Sequence, residues 1–97
     1  MRYEIILAPQ ALDDLRGLPA NARTAVKHAL ETHLRNEPEK TSRSRIKRLR
    51  GLAQPQYRLR VDEVRVFYDV IAGEVQVLAV IPKKETDAWL AQFGKTT

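Results

Sequence analysis

The strongest constraint on the fold is a run of alternating apolar and polar residues in the second half of the chain. Every second residue from Tyr57 to Val61 is apolar, and the alternation resumes at Val64 after Asp62-Glu63. A period of two is typical of a β-strand with one face in the core. Two such strands joined by two polar residues predict a β-hairpin in which Val61 pairs with Val64.

The flanking segments supply the other elements of the fold. Before the hairpin we predict a strand at Arg2–Ala8, helices at Pro9–Leu18 and at Asn21–Asn36 with Asn21 as N-cap, and an exposed loop at Glu37–Arg45. After the hairpin we predict a covered strand at Val75–Ile81 and a terminal helix at Lys84–Phe93. The order is β-α-α-β-β-β, followed by the terminal helix. It predicts one α+β domain over residues 1–97, in which two N-terminal helices pack on one face of a small, curved, antiparallel-type sheet.

Several chemistries are disfavoured by the residues present. There is no cysteine, and the two histidines, His28 and His33, lie about 500° apart on an ideal helix, so we expect them to occupy different faces and to bind no metal. No phosphate-binding glycine loop or catalytic triad is found, and no cofactor is expected. No apolar run approaches the ~20 residues that cross a bilayer, and Glu4 interrupts any signal peptide, so we expect a cytoplasmic protein without membrane contact.

Positive charge is concentrated in one segment. Nine basic and two acidic residues lie between Lys40 and Arg65, a local net charge of +7 in a chain whose overall charge is +5. Such a segment attracts polyphosphate, an anionic membrane surface or an acidic protein, and the alternative is an ordinary solvated surface.

The hairpin register brings three arginines together. Arg60 is expected directly opposite Arg65, with Arg58 diagonal to it on the same solvent-facing side of the sheet. Like charges opposed across a sheet are unfavourable, so this face is expected to bind anions. The alternative is neutralisation by neighbouring acids, namely Asp62, Glu63 and Asp69.

Residues near the arginines are candidates for contacts with a nucleic acid. Basic side chains at the rim of the face, Lys47, Arg48 and Arg50, suit phosphate, because guanidinium groups donate to two oxygens at once. Phe67 shares the arginine face and is a candidate for stacking on a base. Tyr57 and Tyr68 are expected opposite each other on the other face, in the core.

The chain resembles the RelE/ParE toxins over nearly its whole length. The residues that carry the resemblance follow one another in the family's order: Leu49-Arg50-Gly51-Leu52, Tyr57-Arg58-Leu59-Arg60, Val64-Arg65-Val66-Phe67-Tyr68 and Leu78-Ala79-Val80-Ile81, followed by Lys83-Lys84. The resemblance implies a toxin of a type II toxin–antitoxin system. It also implies a cognate antitoxin, which we expect to have an acidic, partly disordered tail.

RelE-like members of this family cut mRNA on the ribosome through attack of a ribose 2′-OH on the adjacent phosphodiester. By resemblance, Arg58 and Arg60 would hold the RNA and help to activate the 2′-OH, and Arg65 would stabilise the phosphorane. Lys84 falls where those enzymes often have an arginine, and Lys83 beside it is a further candidate RNA contact.

The chain departs from the RelE-like pattern near its C-terminus. Trp89 and Leu90 occupy the region where RelE-like toxins usually carry a tyrosine or histidine as general acid. General acid catalysis contributes roughly 10²–10⁴ in rate. Two alternatives therefore stay open beside the mRNA endonuclease: a ParE-like toxin that acts on DNA gyrase, and a module that binds RNA or the ribosome without catalysis.

Overall fold

The structure is a computed structural model that describes residues 2–96. The strands are β1 (Glu4–Leu7), β2 (Ile46–Arg48), β3 (Leu52–Gln54), β4 (Tyr57–Val61), β5 (Val64–Ile71), β6 (Glu74–Pro82) and β7 (Lys95–Thr96). The helices are α1 (Pro9–Arg16), α2 (Ala20–Ala29), which continues into a π-helical turn (Leu30–Leu34), and α3 (Thr86–Phe93), which follows a 3₁₀ turn (Lys83–Glu85). The α+β class and the order of the elements are confirmed.

Five strands form the main sheet in the order β1-β6-β5-β4-β2. All neighbours are antiparallel except β1, which pairs with β6 in parallel. The predicted hairpin register is confirmed, since Val61 pairs with Val64 and Tyr57 with Tyr68. Two short elements were not predicted: β2, which extends the sheet beyond β4, and a separate two-stranded sheet formed by β3 and β7.

Both tight turns of the β4-β5-β6 meander use left-handed backbone. Asp62 has φ 52° in the first turn, and Ala72 and Gly73 have φ 50° and 81° in the second. Aspartate tolerates this region better than most residues, and glycine occupies it without a steric cost. The first turn therefore closes although its sequence is a less favourable one than Asp-Gly.

The main core lies between the sheet and helices α1 and α2. It contains residues from all of these elements, including Ala11, Leu15, Val26, Leu34, Leu59, Val66, Tyr68 and Val77. Asp14 fastens α1 to the sheet, because its carboxylate accepts a hydrogen bond of 3.0 Å from the backbone N–H of Val80. That amide lies beyond the last residue of β6 that pairs with β1, Val77, so the side chain replaces a missing strand partner.

The second helix differs from its prediction at both ends. Its N-cap is Pro19, so the predicted cap, Asn21, lies inside the first turn instead. The extended backbone of proline suits the residue before a helix, which explains the earlier start. At the other end the chain widens into the π turn. Within residues 2–96, no helix has the length and apolar character needed to cross a membrane.

Candidate nucleic-acid interface

The side of the sheet that faces away from α1 and α2 carries the predicted arginines. Lys47, Arg58 and Phe67 lie side by side on β2, β4 and β5. Two residues farther along β4, Arg60 lies opposite Arg65, in the register that the sequence predicts. We call Arg58, Arg60 and Arg65 the arginine cluster.

Helix α3 covers part of this face, which the sequence analysis did not anticipate. Trp89 stacks on Phe67 with ring centroids 5.1 Å apart and planes 8° apart. Phe67, Ala79 and Ile81 form a second small core beneath the helix. Phe67 is fully buried, so the prediction that it stacks on an RNA base is wrong. The physical reason is that β6 leads into α3 through a single 3₁₀ turn, which returns the helix onto the sheet.

Arg65 is not solvent-facing, contrary to prediction: only 6% of its surface is exposed. Its Nη1 donates to the backbone oxygens of Asp62 at 2.8 Å and Val64 at 3.0 Å, so the guanidinium closes the β4–β5 turn. These acceptors are neutral, and they satisfy hydrogen bonds without cancelling the positive charge.

The nearest acid on the same strand does not neutralise the cluster. Asp69 is 2% exposed, and its carboxylate accepts from Gln54 Nε2 at 2.7 Å and from the backbone N–H of Gln56 at 2.8 Å. Gln56 Oε1 in turn accepts from the backbone N–H of Val70. Ion pairs within residues 2–96 join Arg35 to Glu31 and Lys40 to Glu37, so none includes the arginine cluster.

Arg58 lies at the centre of this uncompensated charge. Its Nε is buried and, among the described residues, has no hydrogen-bond partner. Burial lowers the pKa of the Arg58 guanidinium below its usual value, and the nearby charges of Arg65 and Arg60 lower it further. Both effects penalise the charged form, and the negative charge of an anion bound here would offset the repulsion from the two neighbouring arginines.

Arg60 reaches the edge of the sheet and lines a cavity of about 580 Å³ between β4 and the second helix. The cavity also contains His28, His33 and Arg45. The expectation that the two histidines occupy different faces is therefore wrong. The π turn, which includes His33, adds a residue to the helical repeat, and residues five apart come close to alignment. The composition carries no signal for a π turn, so sequence reasoning missed this grouping.

The predicted rim residues divide between the two faces. Lys47 is exposed beside Arg58, whereas Arg48 lies on the other side, donating to Gln56 O at 2.8 Å with its guanidinium over the Tyr57 ring. Arg50 is exposed in the turn before β3.

The two lysines after β6 lie beside the β4–β5 turn. Lys83 donates its backbone N–H to Glu63 O at 2.8 Å, and both Lys83 and Lys84 are exposed. They line a small cavity with Glu63 and Asp87. The lysine charges near this end of the cluster are thus partly balanced by acids. No group of three or more metal-ligating side chains occurs in the part of the chain that the structure describes.

Solved structures of toxins share this fold. The RelE of an archaeal RelE–RelB complex from Pyrococcus horikoshii is 23% identical over 86% of this chain and 97% of that chain, with a TM-score of 0.70. A double mutant of Escherichia coli RelE in the free state is 24% identical over 92% of each chain, also with a TM-score of 0.70. The YoeB dimer from Staphylococcus aureus is 18% identical over 84% and 97%, with a TM-score of 0.63.

Sequence comparison gives the family. No curated protein matches the sequence significantly. The family model for the ParE toxin of the type II toxin–antitoxin system matches residues 5–86, which include α1, α2 and all of the main sheet except Glu4, the first residue of β1. A match over most of the chain, together with the fold, identifies the family. The chain belongs to the ParE toxin family of type II toxin–antitoxin systems, within the RelE/ParE superfamily.

Proposed function

We propose that this toxin is an mRNA endonuclease that works on the ribosome, with RNA bound across the arginine cluster. The observation that carries the proposal is the buried Nε of Arg58, which has no partner within residues 2–96, beside two further arginines that form no ion pair there. A phosphodiester beside the three guanidinium groups supplies the negative charge that this site lacks. Lys47 and Lys84, both exposed, extend the positive surface on either side.

The proposed reaction needs fixed positive charge more than it needs a nucleophile from the protein. The ribose 2′-oxygen attacks the adjacent phosphorus and the bond from phosphorus to the 5′-oxygen breaks. The products are a 2′,3′-cyclic phosphate and a 5′-hydroxyl; the 2′-proton passes to water and the leaving oxygen takes a proton from water. Arg58 and Arg60 hold the phosphate. Arg65, immobilised through Nη1, stabilises the dianionic intermediate by its charge.

The residue near the expected general-acid position supports a slow reaction. Trp89 has no acidic proton to give to a leaving oxygen, and its ring is stacked on Phe67. Loss of general acid catalysis reduces a rate by roughly 10²–10⁴. We therefore propose slow cleavage, measured under single-turnover conditions.

The test is to incubate ribosomes carrying a defined mRNA with the purified toxin and to map the ends of the mRNA. We expect cuts in the ribosome-bound message, and weaker cutting by Arg58→Met. Arg43→Met is a matched control because Arg43 is exposed and lies outside the arginine cluster. Intact mRNA after incubation with folded, antitoxin-free toxin would refute the proposal.

A second candidate is a toxin that acts on DNA gyrase. Two observations favour it: the ParE family model matches the chain, and Trp89 stands near the usual position of the RelE-like general acid. Gyrase incubated with the toxin and supercoiled DNA would then accumulate protein-linked DNA breaks, while ribosome-bound mRNA stays intact. The two candidates thus give opposite results in the same pair of assays.

We also propose a cognate antitoxin as partner. The similar structures include toxins bound to RelB and to YefM antitoxins. An acidic, initially disordered tail would bring carboxylates to the arginine cluster, while apolar anchors supply most of the affinity, because exposed ion pairs contribute little. Exposed apolar side chains available to such a tail are Ile6, Ile71 and Phe93. Co-expression with the product of the adjacent reading frame should give a stable complex and restore growth.

A further inference from the structure

The cavity beside Arg60 is separate from the sheet face but adjoins it. One wall is the second helix with its π turn, and the other is the segment just before β2 with the end of β4. Sheet pairing of β2 stops at Ile46 opposite Leu59, and the backbone N–H of Arg60 donates to Arg45 O at 2.9 Å. From that point no described strand continues beside β4 on the side away from β5, so Arg60 can border both the cavity and the arginine cluster.

The cavity is lined by donors that point to an anionic ligand. Two arginines, two histidines and two hydroxyl residues surround it: Arg45, Arg60, His28, His33, Thr32 and Ser44. Asp62 is the carboxylate among its lining residues. The guanidinium of Arg45 contacts His33 Nε2 at 2.7 Å, and a guanidinium can only donate, so this nitrogen accepts and the ring proton of neutral His33 lies on Nδ1.

The local positive charge has little compensation. The ion pairs within residues 2–96 include neither Arg45 nor Arg60. Burial lowers the pKa of His33, and the charge of Arg45 and the neighbouring His28 lower it further. Within the described residues, the ring of His28 makes one hydrogen bond, 3.3 Å from its Nε2 to Thr32 Oγ1, which leaves Nδ1 available to a ligand.

We propose that this cavity binds a second phosphate of the RNA strand, one or more nucleotides from the phosphate held at Arg58. The inference rests on the proposed function, because it extends the same RNA beyond the arginine cluster. Arg60 provides the continuity, since it is close enough to Arg58 to affect its pKa and also lines the cavity. A volume of about 580 Å³ accommodates a nucleotide.

A phosphate suits this site better than a carboxylate from a protein partner. One guanidinium satisfies both oxygens of a carboxylate, whereas a phosphate presents oxygens in several directions. Here the donors come from three separate segments, with His28 on the helix, Arg45 before β2 and Arg60 on β4. Together they lie on both walls of the cavity rather than on one.

The experiment measures binding of 2′-O-methyl oligoribonucleotides, which cannot be cleaved because the attacking hydroxyl is blocked. Dinucleotides and heptanucleotides are compared by fluorescence anisotropy at low salt for the wild type, Arg45→Gln and Arg43→Gln. Arg43 is the matched control, since it lies on the same loop, is exposed and does not line the cavity. We expect Arg45→Gln to weaken heptanucleotide binding about tenfold, to leave dinucleotide binding within about twofold, and to reduce the salt slope by about 0.7.

A second measurement locates the RNA directly. Binding of the heptanucleotide should shift the ring proton signals of His28 and His33 in NMR spectra of the wild type, and the dinucleotide should shift them much less. Equal affinities of Arg45→Gln and Arg43→Gln for the heptanucleotide would overturn the inference. So would an Arg45→Gln defect seen only with the antitoxin, which would assign the cavity to a protein carboxylate.

The cleavage assay separates this inference from the proposed function. Wild-type toxin that cleaves ribosome-bound mRNA, with the two variants binding the heptanucleotide alike, overturns the cavity site alone. Wild-type toxin that cleaves mRNA but binds none of the oligonucleotides also overturns the cavity site alone. Wild-type toxin that neither binds nor cleaves RNA overturns both.

Discussion

Replacing Arg58 with methionine is expected to stabilise the fold while it weakens the affinity for RNA. Methionine keeps a flexible, largely apolar stem, so most of the packing of the arginine methylenes is retained. The change removes a buried Nε–H that has no partner within residues 2–96 and a charge that lies close to Arg60 and Arg65. The sequence pattern predicts the position of Arg58, but only the structure reveals its missing partner.

The size of the gain follows from these two terms. A buried hydrogen-bonding group without a partner costs about 1–3 kcal/mol, and the lower end applies because the guanidinium is partly exposed. Relief of like-charge repulsion across the sheet adds a few tenths of a kcal/mol. A gain of about 1 kcal/mol in the free energy of unfolding raises the Tm of a domain of this size by about 4–8 °C.

Thermal and urea unfolding of Arg58→Met, Arg65→Met and Arg43→Met test this reasoning together. Arg65→Met should change the stability in the opposite direction, by about 1–2 kcal/mol, because the carbonyls of Asp62 and Val64 lose their donor. Arg43→Met should leave the stability unchanged, since Arg43 is exposed. If Arg58→Met unfolds more easily than the wild type, Arg58 stabilises the fold and the argument for an uncompensated anion site is refuted.

Three further predictions concern the core, the cavity and the terminal helix. Tyr68→Phe should lower the free energy of unfolding by about 1–3 kcal/mol in urea titrations, because the buried hydroxyl of Tyr68 donates to Pro38 O at 2.7 Å. Tyr57→Phe should change it little, because the hydroxyl of Tyr57 lies 3.4 Å from Glu39. The pKa of His33 is lower in the folded protein than its usual 6.5, so the unfolded chain binds more protons than the folded chain between these two pH values. The Tm should therefore fall as the pH drops from 6.5 through the folded pKa. This fall should be less steep in His33→Gln than in His28→Gln. His33 shares one cavity with His28, Arg45, Arg60 and Asp62 and a second with Glu37 and Lys40, and a pH profile unchanged by His33→Gln would contradict this assignment. Trp89→Ala should lower the free energy of unfolding by about 2–3 kcal/mol and expose Phe67, which packs against Trp89. The measurement is hydrogen exchange in α3, which should become faster, with Lys95→Ala as an exposed control. Unchanged exchange would show that the Phe67–Trp89 stack does not hold the helix.

The hairpin could be predicted from sequence because its two determinants are local. Alternation fixes which residues face the core, and a two-residue connection fixes the pairing, so the Arg60–Arg65 opposition followed directly. The parallel pairing of β1 with β6 has no such signal, because the strands are separated by most of the chain. β2 has three residues, too few for a periodic pattern to stand out.

The covering of the arginine face had a signal that could have been used. Val75–Ile81 is apolar on both faces, which indicates a strand covered on both sides, and the predicted helix at the C-terminus carries Trp89 and Leu90. Joining these two observations places α3 over the sheet and buries Phe67. The π turn is different, because its effect depends on one extra residue in a helical repeat that reads as ordinary in the sequence. The positions of His28 and His33 could therefore not be derived from the sequence.

The uncompensated charge of the arginine cluster depends on the positions of the arginines and also on which groups the nearby acid binds. Asp69, the buried acid on β5, is committed to Gln54 and Gln56 and holds the chain between β3 and β4. Arg65 is held by neutral carbonyls, which fix its position and preserve its charge. A face designed only for stability would pair these groups, because an unpaired buried charge is unfavourable. That the fold keeps them apart means that part of its stability is given up at this face, and an anion that binds there recovers it. The same unpaired charge should therefore make the toxin more stable when RNA or an acidic antitoxin tail is bound, and the gain should be smaller in Arg58→Met.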